Sequence, residues 1–344
     1  MLSCVRTSDF SFDLPQGLIA QTPVEPRDSA RLMVLRFKSQ AIEHRTVRDL
    51  PELLRAGDLL VVNDTRVMAA RLFGKRPHTG GEVEALLVRP LTDTTWEVLF
   101  KPARQARVGR RFVFATHEGE LGASVQERTE GAVVLSFDRA FNPASVGEVP
   151  LPPYIKGFAG DPERYQTVYS RQPASAAAPT AGLHFTGELF ERLRFAGVER
   201  TEVTLEVGPG TFRPVTADDP HDHVLHQEHV SVPGAAAIAI TRARQAGERV
   251  VAVGTTVVRT LEHVARERGG IEAYNGWTGL RILPGDSFGV VDALLTNFHL
   301  PKSTLLMLVC AFAGQEFVLE AYREAVREGY RFFSFGDAML LLPE

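Results

Sequence analysis

The stretch VVAVGTTVVRTLEHV, residues 250–264, decides how the rest of the chain is read. Four apolar residues run unbroken to Gly254, as in a strand buried on both faces. Thr255 and Thr256 then open a helix with Val257, Val258, Leu261, Val264 and Ala265 on one side. A buried strand that turns at glycine into an amphipathic helix is a building block of an α/β layer. The helix start offers free N–H groups and the positive end of a dipole, suited to a carboxylate or phosphate, and Arg259 lies one turn in.

The same alternation extends outward. Val203–Val207 and Arg31–Phe37 read as strands, and Leu59–Val62 as a buried strand after a short helix at Leu50–Leu54. Thr186 caps a helix with Leu189, Leu193 and Ala196 on one face and Gly197 closing it. Ala235–Gln245, Ser303–Phe312 and Glu316–Glu328 are further helices. From Leu72 to Val149 the pattern is different. Val83–Val88, Trp96–Phe100, Arg111–Phe114, Glu120–Val125 and Ala132–Phe137 are short apolar runs separated by turn residues, with no helix between them. The expected fold class is α/β: a mixed-sheet body covered by helices, with an inserted small β-barrel domain. Residues 1–71 and 151–344 are expected to form the body, and 72–150 the barrel.

The 344 residues, 44% hydrophobic and 23% charged, suit about two domains and exclude a disordered chain. The longest apolar run, 305–313, falls short of the roughly 18 residues of a membrane span. Two cysteines exclude a disulfide scaffold and a cysteine-based zinc site. These features predict a soluble, cytoplasmic protein, without a membrane partner. The net charge is −4, yet ten basic and four acidic residues fall between Arg66 and Arg111, leaving +6 there and −10 elsewhere. A basic segment on an acidic body has the form of a polyanion footprint, and equally of an ordinary solvated face.

Six segments stand out chemically. NDTR at 63–66 ends a buried strand, where open α/β sheets bind ligands, although Asp and Thr also serve plain turns. AAPTAGLHF at 177–185 combines small residues with a hydroxyl and an imidazole. TLEVGPGTFRPV at 204–215 forces a tight loop without the ending of a phosphate-binding P-loop. HDHVLHQEHVSVP at 221–233 holds four histidines, of which His223, His226 and His229 would share one helix face, and Asp222 beside His223 is an orienter-and-base pair. Its spacing matches no metal motif, so none is assigned. The fifth is the strand–glycine–helix junction. In TNFHLP at 296–301, Asn297 and His299 would project to one side of a continued strand.

Taken in order, LPPYI (151–155), YQTVYS (165–170), AAPTAGLHF, VGPGTFRPV (207–215), DHVLHQEHVSVP (222–233), VVAVGTTVVRTLE (250–262), DALLTNFHLPKSTLLMLVCAFAG (292–314) and YRFFSFGDAML (330–340) resemble the S-adenosylmethionine:tRNA ribosyltransferase-isomerase family of queuosine biosynthesis. DFSFDLPQGLIAQTP (9–23) and GDLLVVNDTRVMAARLFG (57–74) are similar too, and the likeness runs nearly end to end. It departs at Ala174 and Ser175, where the family usually has a glycine, and at Glu82, where a basic residue is common.

The resemblance implies an α/β body with an inserted barrel. It implies transfer and isomerisation of the ribosyl part of S-adenosylmethionine onto 7-aminomethyl-7-deazaguanine at the wobble position of tRNA with a GUN anticodon. The product would be epoxyqueuosine-tRNA, with adenine and methionine released. S-adenosylmethionine would be a consumed substrate, so no cofactor is expected, and a monomer is. On that basis His184, Asp222, His223, His226 and Glu228 are the expected acid–base groups, the histidines titrating near neutrality. Asn63, Thr65, Arg66, Thr180, Gly182, Thr211, Phe212, Gly254, Thr255, Thr256, Arg259, Asn297 and His299 are the expected substrate contacts. Lys75, Arg76, Lys101, Arg104, Arg107, Arg110 and Arg111 are the expected tRNA contacts. The competing readings are an S-adenosylmethionine-dependent RNA methyltransferase, a non-catalytic RNA-binding module and a metal-dependent hydrolase built on the 221–229 histidines.

Overall fold

A computed structural model describes residues 5–77, 79–129, 132–152, 154–156, 158, 160–171, 173–208, 215–225 and 227–344. In chain order the strands are β1 (Arg31–Arg36), β2 (Ala41–Thr46), β3 (Leu59–Asn63), β4 (Arg66–Val67), β5 (Arg71–Lys75), β6 (Glu82–Pro90), β7 (Thr95–Lys101), β8 (Arg111–Thr116), β9 (Gly119–Arg128) and β10 (Val133–Phe137). They continue as β11 (Pro173–Ser175), β12 (Glu199–Leu205), β13 (Glu228–Val232), β14 (Val250–Val253), β15 (Tyr274–Thr278), β16 (Ala293–Asn297) and β17 (Ala338–Leu342). The α-helices are α1 (Leu50–Leu53), α2 (Pro143–Val146), α3 (Gly187–Phe195), α4 (Gly234–Gln245), α5 (Thr255–Arg268), α6 (Thr304–Ala313) and α7 (Gln315–Arg327).

The fold is α/β. A mixed nine-stranded sheet runs in the order β15-β13-β12-β3-β14-β16-β17-β1-β2. At its centre β12, β3, β14 and β16 are mutually parallel. β3, β14 and β16 are near-continuous apolar runs because both faces are covered, whereas β12 (ERTEVTL) is polar until Val203. Alternation divides each run between two cores. Leu59, Val61, Val250 and Ala252 face a core that also holds Ile240 of α4, Leu261 of α5, Met307 of α6 and Tyr322 of α7. Leu60, Val62, Val251 and Val253 face one that holds Leu50 of α1 and Leu189 and Leu193 of α3. Thr186 caps α3, its hydroxyl accepting Leu189 N–H at 3.0 Å, and Gly197 closes it at φ +83°.

A second compact unit comprises Arg66–Pro152 with Pro173–Ala177. It is a closed antiparallel barrel, β10-β7-β6-β5-β8-β9, filled by Leu72, Val98, Phe112, Phe114, Leu121 and Leu135. Gly74 is required there, since a Cβ would come 2.6 Å from the Phe114 ring and 2.7 Å from Val113 O. The unit starts earlier than the expected 72–150, because β4 pairs with β11 and so carries Arg66 and Val67 into it. A single turn, α2, also follows the barrel strands where no helix was expected; Asn142 caps it and Pro143 presets its first dihedral.

Candidate functional site

Four parallel strands deliver their carboxyl ends to one edge of the body sheet. That edge carries Asn63 of β3, Leu205 of β12, Gly254 after β14 and Asn297 of β16. Antiparallel β13 and β17 begin there, with Glu228 and Ala338. Crevices outside such an edge are where open α/β sheets bind ligands.

One crevice centres on Arg259 and Glu228, which form a buried ion pair, each about 5% exposed. The turn at Gly254 (φ +95°, ψ 152°) starts α5 and places Arg259 one turn in. Its Nε donates to Leu280 O at 2.9 Å and its Nη1 to Glu228 Oε2. Its Nη2 has no hydrogen-bond partner among the described residues. Glu228 Oε1 accepts Gly208 N–H at 2.9 Å. The crevice here is lined by Gly208, Leu225, Leu280, Arg281, Ile282, Thr304, Leu305 and Leu308 besides the pair. A buried ion pair roughly breaks even on stability against apolar packing, while losing one partner costs about 3–5 kcal/mol. A guanidinium nitrogen left over inside a cavity can donate a charge-assisted hydrogen bond to an anion. Thr255 and Thr256 are buried at the same helix start, and the Thr256 hydroxyl also lacks a partner among the described residues.

A second crevice lies over His184 and is lined by Pro23, Val24, Arg27, Arg164, Leu183, Ser334, Phe335 and Gly336. His184 ends the 3₁₀ turn Thr180–His184 and is 4% exposed. Asn297 Nδ2 donates to His184 Nε2 at 3.2 Å and to Phe333 O at 3.1 Å; its Oδ1 has no partner among the described residues. Burial first, then the charges of Arg331, Arg27 and Arg164, push the imidazole down to about 3. His184 is therefore neutral near pH 7, contrary to the expectation that it titrates there. Gly182 packs against Tyr169, whose hydroxyl would lie 2.0 Å from any Cβ, so glycine at 182 is set by packing. Thr180 is half-buried at the start of the same turn.

Other expected residues fall elsewhere. Asn63 is fully buried and works as a strut between strands: its Nδ2 donates to Leu205 O, and its Oδ1 accepts Leu205 N–H and Thr65 N–H. Thr65 is buried beside it, and Arg66 belongs to the barrel unit. His299 does not share Asn297's side. The strand ends at Asn297, and His299 turns in so that Nε2 meets Thr296 Oγ1 at 3.0 Å and its N–H donates to Tyr322 OH. Burial pushes His299 down to about 3 as well.

The shared helix face for His223, His226 and His229 is also overturned. Residues 228–232 form strand β13, and Pro220–Asp222 is a single 3₁₀ turn. In the strand Glu228, Val230 and Val232 point inward by alternation, so the i, i+3 spacing of the histidines defines no common face. Asp222 is exposed, and His223 is half-buried with its carbonyl accepting Arg281 Nη1 at 2.6 Å. His226, Thr211 and Phe212 lie outside the described residues. Sequence reasoning missed Arg27, Arg164 and Arg281, which no local pattern marks.

On the barrel, Lys75, Lys101, Arg104 and Arg107 are exposed. Partial desolvation, then the charges of Arg76 and Arg107, lower the Arg110 guanidinium, so these three cations crowd together. Arg111 instead pairs with Asp138 at 2.7 Å. Glu82 stands opposite Lys75 in the β5–β6 register.

Residues 7–341 match the family described as queuosine biosynthesis protein. The S-adenosylmethionine:tRNA ribosyltransferase-isomerase of Symbiobacterium thermophilum is 56% identical over 343 residues, covering 98% of this chain and all of that one. That of Moorella thermoacetica is 53% identical over 344 residues, with 98% and 100% covered. A crystal structure of S-adenosylmethionine tRNA ribosyltransferase from Thermotoga maritima is similar with a TM-score of 0.58 and 43% identity, covering 97% of this chain and all of that one.

Proposed function

The chain belongs to the queuosine biosynthesis protein family, and from that membership we propose that it is an S-adenosylmethionine:tRNA ribosyltransferase-isomerase. It moves the ribosyl group of S-adenosylmethionine to the aminomethyl nitrogen of 7-aminomethyl-7-deazaguanine at the wobble position of tRNA with a GUN anticodon. The group isomerises to an epoxycyclopentanediol, and adenine and methionine leave. S-adenosylmethionine is consumed and no further cofactor takes part. The enzyme works as a cytoplasmic monomer.

The observation that carries this reading is the Arg259 guanidinium, held by Glu228 and Leu280, with Nη2 having no partner among the described residues. It receives the methionine carboxylate of S-adenosylmethionine, reinforced by the α5 start at Thr255 and Thr256. Glu228, in the same wall, faces the sulfonium and lowers the energy of charge next to it. The reaction requires removal of a proton beside the sulfonium, departure of adenine and attack by the tRNA amine. His184 enters as a neutral hydrogen-bonding group, fixed by Asn297, against the ribose or adenine. Proton transfer falls to Glu228, Asp222, His223 and His226. Thr180, Gly182, Thr211 and Phe212 are assigned to substrate binding. On the barrel, Arg76, Arg107 and Arg110, with Lys75, Lys101, Arg104 and Arg111, hold RNA phosphates.

The test is one reaction of purified protein, S-adenosylmethionine and tRNA bearing the aminomethyl-deazaguanine, followed by chromatography of the small molecules. Free adenine and methionine with a matching mass gain on the tRNA support the proposal. S-adenosylhomocysteine would replace it with methyl transfer.

A further inference from the structure

Arg36, Arg249 and Arg259 each meet a carboxylate, those of Glu43, Asp58 and Glu228 in turn. Arg27 is held differently. Its Nη1 donates to Gln166 O at 2.7 Å and to Leu183 O at 3.4 Å, and its Nη2 to Glu163 O at 3.1 Å. Among the described residues no carboxylate forms an ion pair with it; those of Glu25, Glu163 and Asp161 act on it from further away. Main-chain carbonyls fix a guanidinium without cancelling its charge. Arg164 stands beside it in the crevice over His184, its Nη2 donating to Val24 O at 2.8 Å and its Nε paired with the exposed Glu25.

His184 lines the same crevice, with Nε2 taken by Asn297 and Nδ1 without a partner among the described residues. The charges felt at this imidazole come from Arg331, Arg27 and Arg164, and no carboxylate opposes them there. A crevice with fixed N–H donors and a positive field is complementary to an anionic oxygen. S-adenosylmethionine brings one anionic group, its carboxylate, which Arg259 receives in the reading above. RNA brings a phosphate at every nucleotide. The two crevices adjoin neighbouring strand ends. Gly254 at the start of α5 donates its N–H to Leu295 O of β16 at 2.7 Å, and a Cβ on Gly254 would come 3.6 Å from Ala181, in the turn that ends at His184. A nucleotide that reacts beside Arg259 therefore has its own phosphates close to Arg27 and Arg164.

We propose that the crevice over His184 is a phosphate site, in which Arg27 and Arg164 hold a phosphodiester flanking the nucleotide that is modified. This rests on the tRNA reading above and deepens it: these two arginines set the register of the reacting nucleotide, apart from the cations of the barrel.

The experiment uses the full chain and an anticodon-loop hairpin RNA carrying the aminomethyl-deazaguanine. Two further RNAs carry a single uncharged methylphosphonate linkage, on the 5′ or the 3′ side of that nucleotide. Wild-type affinity should fall about tenfold or more for one of the two, as a lost charge-assisted hydrogen bond does. Arg164→Gln should weaken the fully charged RNA by a similar factor and make its logarithmic salt dependence shallower by about 1. The neutral linkage should then cost nothing further, and KM for S-adenosylmethionine should not change. Arg27→Lys, which keeps the charge but loses the planar donors, should show a smaller loss of the same kind. Equal wild-type affinity for all three RNAs overturns the phosphate site and leaves the tRNA reading standing. Additive losses from Arg164→Gln and the neutral linkage do the same, since they place that phosphate elsewhere. So does a raised KM for S-adenosylmethionine in Arg164→Gln with unaltered RNA affinity, which gives the crevice to the carboxylate. Failure of the wild-type protein to bind RNA at all overturns both readings. If neither variant folds, the wild-type comparison of the three RNAs decides alone.

Discussion

Asn297 Nδ2 lies 3.2 Å from His184 Nε2, which makes that ring nitrogen an acceptor and leaves the imidazole proton on Nδ1. An amide can only donate from its nitrogen, so a protonated His184 would lose this contact. Burial and hydrogen bonding therefore agree on a neutral ring.

The first prediction concerns pH. His184 and His299 are both pushed to about 3 in the folded body, against about 6.5 in an unfolded chain. Between those values the unfolded chain binds protons that the folded one refuses. Stability is therefore complete above pH about 6.5 and falls as pH drops toward 3, by up to about 1.4 kcal/mol per pH unit for each histidine. Urea denaturation at several pH values measures the slope. Replacing His299 by Gln should flatten it by one share; an unchanged slope would contradict the assigned burial effect.

The second concerns the ion pair. Arg259→Ala leaves Glu228 charged in a buried wall and should cost about 3–5 kcal/mol. The double variant Glu228→Gln, Arg259→Met should regain much of that stability in a melting experiment while remaining inactive. Arg259→Lys keeps the charge but not the planar set of donors that meets Leu280 O, Glu228 and an anion together, so KM for S-adenosylmethionine should rise more than kcat falls.

A third concerns the turn into α5. A Cβ on Gly254 would stand 3.5 Å from Thr256 Oγ1 and 3.6 Å from Ala181 Cβ, ordinary contacts. Space is available, and the penalty is backbone strain at φ +95°. Gly254→Ala should therefore cost about 1–3 kcal/mol, read as a lowered Tm. A larger loss would mean that the side chain clashes after all.

The fourth concerns the barrel. Neutralising Arg76, Arg107 and Arg110 together to Gln relieves crowding among like charges, so Tm should not fall. The tRNA binding constant should drop, and its logarithmic dependence on salt should become shallower by about 2 to 3. Titrations at three salt concentrations would show this, and an unaltered slope would remove these residues from the RNA footprint.

The α/β class was legible because VVAV before Gly254 and LLVV before Asn63 are apolar at every position, which only a doubly covered strand requires. Barrel strands were legible as short apolar runs between turn residues, and within them Trp96, Val98 and Phe100 turn inward. The segment around β13 misled because histidines three apart imitate a helix face, while the inward set includes a charged residue, Glu228. Only its distant partner Arg259 makes that burial tolerable, and a pairing across 31 positions leaves no local mark. Asn63 shows the reverse: a polar residue at a strand end suggests a ligand, but here both ends of its amide are taken up by the neighbouring strand and its own turn.

The placing of β17 has a consequence for how the body comes to exist. This strand lies between β16 and β1, and Arg31 N–H bonds to the Asp337 carboxylate across 306 positions of chain. Until residues 338–342 arrive, β1 has a partner on one edge only and Met33 and Leu35 lack part of their cover. The body is thus a structure of high contact order, closed from its far end, and during synthesis it presents two unsatisfied sheet edges for as long as most of the chain takes to emerge.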